Sequence, residues 1–284
     1  LFILQQRTES QTGRKIRRQT RLLFWSLFAF YIFLHSGTAN GQPKTNLEQK
    51  TLEAYDEYVK KFEKDVDDAV SGKKPFLWIQ LQSSDAQNRA RRGDILIFKS
   101  HDNIDVPKGI IHIWGVSAFM QGAKAKDVVE LLLDYNRHKD LYPSVIDSKV
   151  LEKYGNIVRG YLKFKYKKAI TVVLNTQHQA ETAGLARGRY FIRVHSTRIA
   201  EVVDSGKPDE HELPVGKDSG FMWRLNTYWF LEPQPDGVFI ECQSLTLSRA
   251  LPFGLSWLIK PFVQSIPRDS LKELMEGTRK ALDQ

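Results

Sequence analysis

Between Asn46 and Val70 the apolar positions recur every three or four residues: Leu47, Leu52, Tyr55, Val59, Phe62, Val66 and Val70. Glu, Asp and Lys fill the opposite face, so the spacing predicts an amphipathic helix that Gly72 ends. Its polar face carries both signs of charge, which favours packing against a domain over a membrane-surface or partner-binding helix. Phe76–Leu81 reads as a short buried element, Asp85–Arg92 as a brief polar helix, and Asp94–Lys99 and Ile110–Phe119 as strands. Helical spacing returns over Ala125–Tyr135 and breaks at Tyr142 and Pro143.

From Val145 the period falls to two, and strands are predicted over Asp147–Lys153, Ile157–Tyr166, Ile170–Glu181, Arg189–Val203, Phe221–Glu232 and Val238–Ser248. Two of them alternate cleanly. Val158, Leu162, Phe164 and Tyr166 oppose Arg159, Lys163, Lys165 and Lys167; Ile170, Val172, Leu174, Thr176, His178 and Ala180 oppose Asn175, Gln177, Gln179 and Glu181. One dry and one wet face is the mark of an antiparallel sheet, and the lysine patch, with Lys168, belongs on the wet side. The segment 204–219, with Gly206, Pro208, Pro214 and Gly216, is expected to be an exposed loop.

The chain closes on two aromatic-rich strands and a long apolar helix. Pro261 and Pro267 are expected to kink or divide that helix, with Pro267 in the first turn of its last part. Leu271, Leu274, Met275, Thr278 and Leu282 form its stripe, and Gly277 marks a close approach of backbone or ligand. A sheet and helix this apolar must wrap each other. Such a wrap leaves room for a cavity, with Phe164, Tyr166 and Leu174 on one wall and Leu271, Met275 and Thr278 on the helix.

Polar residues within these apolar elements are the candidate anchors of a ligand. Arg224 and Asn226 alternate with aromatics up to Tyr228, Glu241 sits in an apolar strand, and Arg198 and Glu201 follow His195. A buried charge needs a partner, so an Arg224–Glu241 pair across neighbouring strands is one expectation, and a polar anchor in an apolar pocket the other. His178, inward by parity, is expected to be a core histidine bonded to backbone, with a general base as the sharper alternative. Leu251–Ile259, with Pro252 and Gly254, reads as a mobile mouth or as packed core.

Composition changes this picture little. The net charge is +9, but Arg7, Arg14, Lys15, Arg17, Arg18 and Arg21 precede residue 22 and face only Glu9. The remainder is mildly basic, which gives nucleic-acid binding no support. Cys242, the only cysteine, excludes an intrachain disulfide and a cysteine-built metal site, and is expected to be a small core residue.

The basic segment Gly13–Arg21, the apolar run Leu22–Leu34 and the small residues Gly37, Thr38, Ala39 and Gly41 have the three parts of a secretory signal. An uncleaved anchor is the alternative; either puts the remainder outside the cytoplasm, periplasmic or secreted. The chain opens on Leu1 with no methionine before Met120, so the expected start is a non-standard codon read as Leu or a codon upstream. The expected layout is a signal or anchor over 1–42, an amphipathic helix over 43–74 and the main domain over 75–284.

Catalytic signatures are absent: no Gly-x-Ser-x-Gly, no His-Glu-x-x-His, no phosphate-cradling glycine loop, and seven histidines without ligand spacing. Ser71–Lys74 matches Ser-x-x-Lys without its companion motifs. The order strand, helices, antiparallel run and long C-terminal helix resembles the helix-grip fold of the START-like, polyketide-cyclase-like (SRPBCC) superfamily. The segments 109–115, 128–136, 223–229, 247–249 and 266–271 look like those of its exported bacterial members. The resemblance covers about residues 75–284. It implies an α+β fold in which a curved antiparallel sheet grips the C-terminal helix around a cavity for a lipid or other hydrophobic molecule. No cofactor is expected, contact of the Leu251–Ile259 mouth with a membrane or a partner is one option beside packed core, and the oligomeric state stays open. A cyclase- or dehydratase-like enzyme and an envelope interaction module with a vestigial cavity are the alternatives.

Overall fold

The computed structural model describes residues 45–167, 170–250 and 256–283, and the side chains of all of these except 256–265. The expected signal or anchor, Lys168 and most of the Leu251–Ile259 mouth lie outside what is described.

The chain begins with the short strand β1 (Thr45–Asn46) and helix α1 (Gln49–Val70). A 3₁₀ turn (Trp78–Leu81) and helix α2 (Ser84–Arg91) follow, and the Ser83 side chain caps α2 by accepting the Ala86 N–H. Strands β2 (Leu96–Phe98), β3 (Ile104–Val106) and β4 (Gly109–Gln121) come next, then helices α3 (Ala125–Leu133) and α4 (His138–Leu141). Four long strands run as a meander: β5 (Val145–Tyr154), β6 (Ile157–Lys167), β7 (Thr171–Gly184) and β8 (Tyr190–Val203). After β9 (His211–Glu212) and β10 (Lys217–Asp218), the long hairpin β11 (Arg224–Gln234) and β12 (Gly237–Arg249) leads to helix α5 (Ser256–Leu282).

The main sheet is antiparallel, in the order β2-β4-β12-β11-β8-β7-β6-β5, with β3 on β4 and β9 on β8. Register shifts in β5–β6 and between Gln177 and His178 in β7–β8 mark bulges, which bend strands and help curl a sheet. The sheet is curved, and α5 packs against β4, β12, α3 and α4.

Helix α1 lies on the other face. Its Tyr55, Phe62 and Val66 are buried against Ile111, Ile113, Tyr228 and Leu245. The Tyr55 hydroxyl donates to the Leu245 carbonyl at 3.4 Å, and the Phe62 and Tyr228 rings lie 5.2 Å apart. The apolar stripe of α1 is thus used within the domain, which removes it as the surface for a partner.

Two expectations need correction. Helix α5 is not divided: its 27 residues run through both prolines. A proline inside a helix costs about 3 kcal/mol through its missing N–H, and burial of Ile266, Leu271 and Met275 offsets that. The segment 204–219 is only partly an exposed loop. It holds two short strands, and Leu213, Asp218 and Ser219 are buried. Ser219 donates through its N–H and Oγ to Glu201, and the Asp218 carboxylate accepts from the Gly220 N–H and Trp223 Nε1.

Candidate functional site

Strand parity decides which side chains meet α5. On β11 the inward set is Leu225, Thr227, Trp229 and Leu231; on β12 it is Val238, Ile240, Cys242, Ser244 and Thr246. At one end Val116, Ala118, Ile240 and Cys242 close on Leu271 and Met275 as a solid core. Toward the other end a cavity of about 180 Å³ opens between the curved sheet and α5. Leu162, Phe164, Tyr166, Leu174, Ala180 and Val194 form much of its sheet wall. Ile266, Pro267, Ser270, Leu271 and Leu274 of α5 form the opposite side, and Tyr135, His138 and Tyr142 one end.

Two glycines allow this end to form. A Cβ on Gly160 would lie 2.2 Å from the Tyr135 ring, and one on Gly277 would lie 2.5 Å from the Leu141 carbonyl oxygen. Gly277 therefore serves a close approach of α5 to α4 and does not line the cavity. Next to it, Thr278 shares a 3.1 Å hydrogen bond with the Tyr142 hydroxyl.

Three histidines reach the cavity from three elements: His112 on β4, His138 on α4 and His178 on β7. Burial penalises the imidazolium and pushes His112 and His138 down to about 4. His178 is pushed to about 3, by burial first and then by the neighbouring His138 and His195. All three rings are neutral at neutral pH. His178 Nε2 lies 2.7 Å from Thr176 Oγ1, and that hydroxyl donates to the Leu162 carbonyl at 3.0 Å. With its one proton committed, Thr176 can only accept from His178. The ring orders the hydroxyl and does not activate it as a nucleophile. The Tyr142 and Tyr166 hydroxyls are pushed up to about 12 by burial, so both are neutral donors. Among the described lining residues there is no Lys or Arg, and Glu273, whose Oε1 accepts the Ser144 N–H at 2.7 Å, is the only carboxylate.

The twelve residues singled out from sequence separate into groups. Phe164, Tyr166, Leu174, His178 and Leu271 line the cavity. Met275 and Thr278 are fully buried beside it, in the core and in the bond to Tyr142. The other five do not face it. Arg224, Asn226 and Tyr228 share the β11 parity that points toward α1, and Tyr228 donates to Glu63 at 3.1 Å while accepting from Asn226. Arg198 lies on the outer face and pairs with Glu212. Glu241 is buried under the 3₁₀ turn, where it accepts the Trp78 and Ile79 N–H groups and Gln243 Nε2.

The expected Arg224–Glu241 pair does not form. Arg224 is in register with Leu247 and Glu241 with Phe230, six positions apart along the strands, and Arg224 donates to the Trp223 carbonyl. Arg224 and Glu241 also lie on the opposite face from His178, so the convergent polar constellation expected of an enzyme site is not assembled. Sequence reasoning missed His112, Tyr135, His138, Tyr142, Thr227, Trp229, Ser244 and Thr246. The alternation Ser244–Thr246 was a usable signal, because two hydroxyls on one face of a closing strand are polar without being charged.

No protein-family model matches this chain, and no curated protein matches it. Solved structures do. The STAR-related lipid transfer protein of Xanthomonas axonopodis (fragment 25–204) is 21% identical over 68% of this chain and 99% of its own, with a TM-score of 0.44. The Zhui aromatase/cyclase of Streptomyces sp. R1128 is 10% identical over 61% and 94%, with a TM-score of 0.42. Human STARD10 is 12% identical over 70% and 80%, with a TM-score of 0.40. The strand order and the α5 helix held in the concave face decide the architecture. The fold is a helix grip, a curved antiparallel sheet wrapped on its C-terminal helix. In this helix grip the sheet is closed on its convex face by α1, and Cys242 is fully buried in the concave core.

Proposed function

We propose that this helix-grip protein binds an apolar small molecule of lipid character between its sheet and α5. The cavity carries the reading. Its volume of about 180 Å³ is more than ten times the roughly 10–15 Å³ that admits one water. Its walls are mainly apolar with a few placed hydroxyls and imidazoles, the usual make-up of a small-molecule site. Native mass spectrometry and lipid extraction of the purified protein test the reading. An apolar molecule is expected to co-purify, or to bind when added. Val194→Phe, which fills the cavity from β8, should keep the fold by circular dichroism and lose that ligand. Equal binding by both proteins, or none by either, would overturn the proposal.

The proposal includes action outside the cytoplasm, supported by the basic and apolar segments at 13–34. Fractionation of cells expressing the chain should find it in the periplasm, the medium or the membrane with its domain outside. Recovery in the cytosol alone would sink that part and leave the ligand reading untouched.

A further inference from the structure

The sheet wall of the cavity carries hydroxyls as well as apolar side chains. Ser244 and Thr246 are two residues apart on β12, so both point to the concave side, about 6.8 Å apart along the strand. Ser244 is directly opposite Thr227 of β11, and Thr246 stands between Leu225 of β11 and His112 of β4. All of these residues line the cavity. The three hydroxyls therefore form one patch across two strands. The next strands border it with apolar side chains, Val194 opposite Thr227 and Ala180 opposite Val194.

The hydrogen bonding of this patch is incomplete. Thr227 Oγ1 accepts the Trp229 Nε1–H at 3.2 Å, which turns its own proton away from the indole. Ser244 and Thr246 are only 6% and 7% exposed, yet their hydroxyls have no hydrogen bond among the described residues. Neither oxygen is sealed off from the cavity. A buried hydroxyl without a partner is costly, and Ala and Val would build the same wall without that cost.

We propose that the cavity takes a compact, uncharged molecule bearing a carbonyl group, and that the Thr227–Ser244–Thr246 patch holds the carbonyl oxygen. With Trp229 using it as an acceptor, Thr227 meets the ligand as a donor, so the ligand atom there is an acceptor. A carbonyl oxygen has two lone pairs, and facing residues on neighbouring strands have Cα atoms about 4.5–5.5 Å apart, close enough for two hydroxyls to share it. An anion fits poorly, because the described lining residues include the Glu273 carboxylate and no Lys or Arg. Volume sets the size. A cavity of about 150 Å³ takes a benzene, so one of about 180 Å³ seats a ring with a small substituent, roughly nine non-hydrogen atoms. The inference rests on the ligand-binding reading above and adds the size and the polar group of the ligand to it.

The probes are three molecules of one shape: acetophenone, α-methylstyrene, in which a methylene replaces the carbonyl oxygen, and benzoate. Each is titrated by calorimetry into the whole protein and into the double variant Ser244→Ala/Thr246→Val. Acetophenone and α-methylstyrene are expected to bind the wild type, and benzoate to bind most weakly. The double variant should weaken acetophenone at least tenfold and leave α-methylstyrene unchanged or tighter. Its urea midpoint should not fall, since the hydroxyls removed had no partners. The infrared carbonyl stretch of acetophenone bound to the wild type supplies a reading that needs no variant, and it should lie below its value in hexane. A ketone-to-alkene affinity ratio that the variant leaves unchanged, benzoate as the tightest ligand, or a carbonyl at its hexane frequency would overturn the inference and leave the general reading standing. Failure of all three probes to bind would also overturn the inference, and the general reading would then fall only if nothing co-purifies.

Discussion

Along β4, β12 and β11 both faces of the sheet are buried, yet they are built differently. The convex face, under α1 and the 3₁₀ turn, is filled by rings: Tyr55, Phe62, Phe76, Tyr228 and Phe230. Its buried carboxyl, Glu241, is occupied by two backbone N–H groups and Gln243. The concave face, under α5, is equally apolar but leaves a cavity, and the polar groups that line it are mainly neutral imidazoles and hydroxyls. Shape accounts for the difference. A helix on the outside of a bend sits against the sheet with side chains filling the grooves, whereas a helix spanning a hollow touches it only in part. A polar group on the first face is a structural cap, and one on the second is a candidate contact for a ligand.

Acid should separate the faces most strongly. An imidazole that is about 6.5 unfolded and about 4 folded favours the folded state above 6.5, and that contribution is lost as pH falls toward 4. Each of His112 and His138 is then worth about 3 kcal/mol, and His178 acts in the same direction. Together they rival the whole stability of an ordinary domain. Urea unfolding followed from pH 7 to pH 4 should show a steep loss, less steep in His138→Gln. A midpoint that stays flat over this range would remove the distinction between the faces.

Truncations test the packing side of the comparison. Phe62→Ala, on the filled face, should cost about 3–5 kcal/mol. Phe164→Ala, on a half-buried ring at the cavity wall, should cost about 1 kcal/mol, since its neighbours already border empty space. Equal costs in chemical denaturation would mean that the cavity is filled by side-chain motion in solution.

The Glu241 carboxyl provides the opposite pH signature. Burial raises it from 4.5 to about 7 against the pull of its hydrogen bonds, so the folded state holds its proton where the unfolded chain does not. Its contribution is greatest below pH 4.5 and falls as pH rises through 7. Glu241→Gln should remove up to about 2–3 kcal/mol of that fall, read as the wild-type minus variant difference between pH 5 and 8. An unchanged difference would show that the carboxylate is ionised throughout and is held by the Trp78 and Ile79 N–H groups.

Much of the fold was legible in the chain. The three-to-four spacing of α1 and the strict alternation of β6 and β7 each had one apolar face, so their inward sides followed directly. Phe164, Tyr166, Leu174 and His178 were found in this way. The same reasoning failed on β11, because both its faces are apolar: Leu225, Thr227 and Trp229 on one side, Asn226, Tyr228 and Phe230 on the other. Alternation cannot say which of two dry faces meets which helix. The prolines of α5 misled for a related reason, since local propensity yields where burial of Ile266, Leu271 and Met275 outweighs one lost hydrogen bond.

The sequence by itself determined the elements, the antiparallel run and the sidedness of every strand with one wet face, because these depend on local period and on the cost of burying charge. Only the tertiary structure decided that Glu241 caps a turn on the convex face. It alone brought His112, His138 and His178, sixty-six residues apart from first to last, to one cavity. Their meeting depends on sheet curvature, a bulge beside His178 and the approach of α5 at Gly277, which are geometric outcomes of packing and have no local signature in the chain.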